Sequence, residues 1–293
     1  MSTMLSFASD NLATQFLSND DLRRLCPMAF KETPTNSGVS DKYLQANTMT
    51  VVNDLEKLGW FPVQAKQCRE KKNSSGIRSF HMIAFQNPDV KITKTTPDGG
   101  EIVDAYPRII LTNSHDGFNS FKFMVGLFRL VCSNGLVMGT DELVNMSIRH
   151  INYTFEALRG IVVEAIDRIP GIVAKMNGMK KATVSEEDQR AIAIEVEKIR
   201  KNIDPEDKNF SVAEDVIKDI LTPLRKEDEG NDLWSVFNRC QEKMIKGGYL
   251  GNSLNGDHTK FRKRRRITSI KKDLEYNQRL WEFATRLVPV EAA

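Results

Sequence analysis

The sequence predicts an α+β fold: an N-terminal, mostly antiparallel sheet followed by a C-terminal helical region. Three observations carry this. Between Trp60 and Asn113 the chain alternates short segments rich in Val, Ile, Phe and Thr with turn-forming pairs such as Asn73 to Gly76 and Pro97 to Gly100. Those connections are too short for crossover helices, so consecutive segments must pair antiparallel. After Gly139 apolar residues recur at three- and four-residue steps to the end of the chain, the segregation of strands and helices that defines the class.

Residues 1–46 are polar and rich in Ser, Asn and Thr, with one short helical stretch at Asp20 to Leu25 stopped by Pro27. This reads as a flexible arm. A sheet-rich core is expected over 47–139. Its first element is a helix in NTMTVVNDLEKLGW, capped by Asn47, apolar at Val51, Val52, Leu55 and Leu58, and stopped by Gly59. The extended segments WFPVQAKQ, IRSFHMIAFQ, NPDVKITKTTPDGG and EIVDAYPRIILTN follow. SFKFMVGLFRLVCSNGLVM is apolar enough for a buried helix, but Gly126, Gly135 and its β-formers favour two strands turned at Asn134-Gly135.

Residues 140–293 form the expected helical region. Thr140 begins a long helix with Leu143, Ile151, Phe155, Leu158, Val162 and Ile166 on one face, interrupted at Pro170-Gly171. A second helix starts at Ser185. A third starts at the capping box Ser211-Val-Ala-Glu214. A fourth runs from Asn231 to Lys246 before Gly247-Gly248, and a last from Ser269 to Leu287. Residues 248–268, rich in Gly and Asn, form an exposed basic loop between the last two.

Composition narrows the function. Apolar residues make up 40% and charged residues 28% of the 293-residue chain, a globular balance with enough apolar material for a sizeable core. The N-terminus shows no basic-then-apolar leader pattern, and no run approaches the roughly 18 apolar residues of a membrane span. The four cysteines, Cys26, Cys68, Cys132 and Cys240, lack zinc or disulfide spacing. A cytoplasmic protein with no membrane association and buried free thiols is the expectation. No metal or cofactor is expected, because His81, His115, His150 and His258 accompany no ligand motif, and neither a P-loop nor a G-x-G-x-x-G turn is present.

Two segments could carry chemistry. Thr112-Asn113-Ser114-His115-Asp116-Gly117 puts a histidine beside a carboxylate after the strand RIIL. Adjacent residues of an extended chain point to opposite faces, so Ser114, His115 and Asp116 cannot form a triad among themselves. They read as a turn whose Asn and Asp side chains bond to backbone, with a ligand-contacting loop at Asn113, Ser114, His115 and Asp116 as the alternative. Cys132, set among Leu130, Val131, Leu136 and Val137, reads as packing rather than a nucleophile.

The stronger signal is charge. Net charge is only +3, yet Lys260, Arg262, Lys263, Arg264, Arg265, Arg266, Lys271 and Lys272 fall in thirteen residues, Lys260 to Lys272, with no Asp or Glu before Asp273. Guanidinium groups at such density suit phosphates, and Phe261 and Tyr249 could stack on unpaired bases. The competing reading pairs these arginines with the acids at Glu227 to Glu229.

The blocks Pro107-Arg-Ile-Ile-Leu-Thr-Asn-Ser-His-Asp-Gly117 and Gly126-Leu-Phe-Arg-Leu-Val-Cys-Ser-Asn-Gly-Leu136 resemble a phage- and plasmid-borne family of unknown function. Its members end, like this chain, in a basic stretch and an Asn-x-x-Leu-Trp helix, here Asn277 to Trp281. The resemblance implies a mobile-element setting and supplies no catalytic residues. In element order alone the chain is also similar to phage single-strand annealing proteins, which implies an oligomeric working form.

The resulting expectation is a non-enzymatic nucleic-acid-binding protein, preferring single-stranded DNA, in phage or plasmid recombination or replication. A homo-oligomer is expected, since the edges of such a sheet invite self-association. The alternative is an interaction protein that binds and inhibits a host or defence protein.

Overall fold

The computed structural model describes residues 16–32, 47–68, 72–73, 76–77, 80–96, 98–115, 121–129, 135–137, 147–148, 153–252 and 261–289. The fold is α+β, with the antiparallel sheet in the N-terminal half and helices in the C-terminal half. Two compact units, Met1–Ile169 and Pro170–Ala293, divide it.

In the first unit α1 (Asn19–Leu25) and a 3-10 turn (Pro27–Phe30) precede α2 (Thr48–Lys57). The strands are β1 (Phe61–Gln67), β2 (Lys72–Asn73), β3 (Gly76–Ile77), β4 (His81–Gln86), β5 (Ile92–Thr95), β6 (Glu101–Asn113), β7 (Phe121–Arg129), β8 (Gly135–Val137) and β9 (Ser147–Ile148). Among the described residues the main sheet runs β1-β4-β6-β7-β8, with β5 on β6 and β9 on β7, and every pairing is antiparallel. β2 and β3 form a separate hairpin across Asn73 and Gly76. The turn into β6 needs glycine: Gly99 has φ +85° and donates to the Thr96 carbonyl. α2 begins at Asn47, whose side chain accepts from Met49 N–H at 2.8 Å, and ends before Gly59 at φ +81°.

Residues 16–32 differ from an unattached arm. Ser18 and Asp21 close a capping box on α1, Leu22, Cys26 and Ala29 are fully buried, and Leu17 N–H donates to the Pro62 carbonyl. Apolar residues hidden in a polar stretch tie it down. The remainder of the expected arm lies outside the described residues.

The first long helix, α3 (Phe155–Lys181), starts later than Thr140 and passes through Pro170. Ser147 and Ile148 pair with Lys122 and Phe121 instead, and Thr154 caps the helix by accepting from Ala157 N–H at 3.1 Å. Pro170 removes one helical donor, at a cost of about 3 kcal/mol. Apolar burial continues on both sides of it, at Leu158, Val162 and Ala165 and again at Ile172, Met176 and Met179, which keeps the helix intact. The boundary between the two compact units falls within α3, between Ile169 and Pro170.

The second unit contains α4 (Glu186–Lys201), α5 (Glu214–Leu221), α6 (Leu233–Lys246), the hairpin β10 (Leu250–Asn252) with β11 (Phe261–Lys263), and α7 (Ile270–Thr285). α4 packs on α5, α6 and α7, and α6 packs on α5 and α7. Trp234, Phe237 and Trp281 meet at the centre, with ring centroids 5.8 Å apart at both steps. Ser185 and Asp188 form the capping box of α4, and Ser269 caps α7. Ser211 does not cap α5: the helix starts after Ala213 without a side-chain cap, so Glu214 is its first residue rather than its third and pairs with exposed Arg190 at 2.5 Å.

Candidate nucleic-acid interface

The segment read as an open loop is anchored at both ends. Gly248 N–H donates to the Arg264 carbonyl, Arg264 N–H to the Tyr249 carbonyl, and Ile267 N–H to the Ile245 carbonyl, while Leu250, Gly251 and Asn252 pair with Lys263, Arg262 and Phe261. Lys260 lies outside the described residues.

Arg264 is turned inward. Its Nε donates to Glu197 Oε1 at 3.0 Å and its Nη2 to Oε2, and the Glu197 side chain has 0% exposure. Tyr249 OH donates to the same carboxylate at 2.8 Å. Burial alone would lower the Arg264 pKa, but the bonds to Glu197 hold it above the ordinary value. Burial, then Glu197, push the Tyr249 phenol well up. The carboxylate is paired and triply bonded, the condition under which a buried charge is tolerated. A Cβ on Gly251 would overlap the Arg264 guanidinium, so the strand beside it needs glycine. Arg200 fixes the outer turn by donating to the Met244 and Arg265 carbonyls at 2.9 and 2.7 Å.

This corrects two expectations. Tyr249 is fully buried and unavailable for base stacking. Arg264 pairs with Glu197, not with the acids at Glu227 to Glu229. Sequence reading missed Glu197 because it sits within an amphipathic helix, 67 residues from Arg264. The signal available was its place in the α4 stripe beside Val196 and Ile199.

Arg262, Lys263, Arg265, Arg266 and Lys272 are exposed, as is Lys271. Among the described residues none of Arg262, Lys263, Arg265 and Arg266 forms an ion pair. Phe261, 40% exposed, and Leu250, 51% exposed, share the hairpin with them. Lys271 and Lys272 stand in the first turn of α7, where the helix dipole opposes cations and favours anions.

The loop after β6 has a different character. Asn113, Ser114, His115 and, from α2, Thr48 are all fully buried, with His81 of β4 opposite Asn113. Thr48 Oγ1 lies 3.1 Å from His81 Nε2 and 3.3 Å from His115 Nε2, and accepts from Asn113 Nδ2 at 2.9 Å. A hydroxyl has one proton and two acceptor positions. With Asn113 on one, a single imidazole can donate through Nε2 and the other must accept. The Asn113 amide thus bonds to a helix side chain and not to its own turn. A hydroxyl beside imidazole has the elements of a nucleophile and base, but with no exposure at Thr48, His81 or His115 this group works as a clasp between α2 and the sheet. Asp116 and Cys132 lie outside the described residues. Among the described residues no cluster of three or more metal-ligating side chains occurs, and no helix is long and apolar enough to cross a membrane.

Comparison with known proteins finds relatives along most of the chain. The chain is 30% identical over 274 residues to UPF0380 protein YafZ of Escherichia coli K12, covering 93% of this chain and 92% of the relative. It is 29% identical over 272 residues to UPF0380 protein YfjQ of the same organism, at the same coverage. No solved structure matches. Residues 37–281 match the model of a domain of unknown function, DUF932, and the chain belongs to that family.

Proposed function

We propose that the protein is a non-enzymatic, cytoplasmic nucleic-acid-binding protein that prefers single-stranded DNA and acts in phage or plasmid recombination or replication as a homo-oligomer. The observation that carries this reading is the group Arg262, Lys263, Arg265 and Arg266: four exposed cations without acidic partners among the described residues, on a backbone fixed by the Arg264–Glu197 pair. A fixed array of cations binds phosphates with little ordering cost and releases counterions. Phe261 beside it offers a stacking face to an unpaired base. The mobile-element setting rests on the resemblance of the two sequence blocks.

Fluorescence anisotropy with labelled single- and double-stranded oligonucleotides of equal length tests this. Tighter binding of the single strand, independent of base sequence, is expected. No binding of either at low salt would overturn it.

A second reading is favoured by Leu250, exposed within the same basic hairpin. Exposed apolar residues, Leu250 and Phe261, in a hairpin that also carries Arg262 and Lys263 suit an acidic protein surface too, as an inhibitor of a host or defence protein would need.

A further inference from the structure

Arg108 is a buried cation without a counter-charge among the described residues. It lies in mid-strand β6 at 6% exposure, opposite Gln86 of β4 and Gly126 of β7. Its Nε and Nη2 both donate to the single oxygen Gln86 Oε1, each at 3.2 Å, and its guanidinium stacks on the Phe128 ring at 3.7 Å. Both partners are neutral. Among the described residues no carboxylate pairs with it, and burial alone pulls its pKa down to about 10. Arg239 Nε is sealed without a hydrogen-bond partner, whereas Arg108 Nη1, also without a partner among the described residues, is not sealed. The remaining end of the fork therefore keeps some access to solvent, beside a position where Gly126 contributes no side chain.

A desolvated guanidinium without an anion is unfavourable, and a fork held flat on an aromatic ring is preorganised for bidentate oxygen. We propose that Arg108 is the anchor of an oxyanion site on the sheet, with Gln86 and Phe128 as positioning residues, that receives a phosphate group. The phosphate comes either from a small molecule or from a nucleic-acid backbone. The site is built from residues of the first unit alone and does not rest on the function assigned to the basic hairpin of the second.

The test follows the arginine side-chain 1H–15N signals and the melting temperature of the full chain on addition of inorganic phosphate, with chloride at equal ionic strength as control. One side-chain signal should shift with saturation, and the melting temperature should rise by several degrees. Arg108→Met should lose both responses while melting no lower than wild type in phosphate-free buffer, because an uncompensated charge has gone. Arg108→Lys, which keeps charge without the fork, should retain a weaker response. Displacement of phosphate by a short oligonucleotide assigns the natural source to a backbone; failure to displace assigns it to a small phosphate. Equal stabilisation of wild type and Arg108→Met by phosphate would overturn the proposal. So would marked destabilisation of both variants in phosphate-free buffer, which would mean that Arg108 serves an acid of its own chain.

Discussion

Arg264 closes over the Glu197 carboxylate with two nitrogens, and the carboxylate it covers has no exposure at all. The middle residue of the basic run is therefore a structural pin, and its neighbours are exposed charges without an acidic partner among the described residues. Arg264→Ala should leave Glu197 buried and unpaired and destabilise the protein by about 3–5 kcal/mol. Arg265→Ala, one position on, should change stability by less than about 0.5 kcal/mol. Urea denaturation of the two variants separates these outcomes, and equal midpoints would contradict the pin.

The Thr48 clasp should behave as a stability element. Thr48→Val removes the shared partner of Asn113, His81 and His115, each buried polar group left unsatisfied costing roughly 1–3 kcal/mol. DNA binding by folded variant should be unchanged. A loss of binding at intact stability would move the cluster from structure to function.

Cys26 and Cys240 are buried free thiols pushed up to about 12 by burial. Both should remain protonated and unlabelled by iodoacetamide at pH 8, while half-buried Cys68 reacts. Peptide mass mapping after native and urea-denatured labelling checks this; early modification of Cys240 would contradict the packing of α6.

Glu242 accepts from Arg225 Nε at 3.1 Å and Nη2 at 2.6 Å and from Lys246 at 2.5 Å. Burial raises its pKa, but the bonds to Arg225 and Lys246 outweigh burial and hold it below the ordinary value. A folded pKa below the unfolded one gives stability that is present above the unfolded value, about 4.5, and lost as pH falls through the folded one. Glu195, raised by burial, has the opposite sign: its ionisation costs stability as pH rises. Below about pH 5 Glu242→Gln should lose stability less steeply than wild type as pH falls, and above about pH 4.5 Glu195→Gln should lose stability less steeply than wild type as pH rises. Identical slopes in all three would contradict the assignment.

The strand order was legible because each turn carries its own chemistry: Asn73 to Gly76 and Gly99 both close hairpins where glycine was read as a turn. Helix starts were legible where the cap is local, at Asn47, Ser185 and Ser269. They were misread where the helix starts beyond the apparent capping box, as at Glu214, or where a strand pairing displaced the helix, as at Ser147 and Ile148. The basic run was plain in the sequence. Its division into one inward and several outward charges was not, because that depends on Glu197 from another helix. The Thr48, His81 and His115 meeting was hidden for the same reason, its members 33 and 67 residues apart.

The central claim is that the outward cations of this segment hold phosphates. Its most direct measurement is the salt dependence of single-stranded DNA binding by wild type and by the variant with Arg262, Lys263, Arg265 and Arg266 changed to Ala and Arg264 kept. Each phosphate contact should add roughly 0.7 to the slope of log affinity against log salt, so the variant should lose about 2.8 and bind every sequence more weakly. Because Arg264 remains on Glu197, its fold should be intact. A correctly folded variant that binds with unchanged affinity and slope would contradict the account.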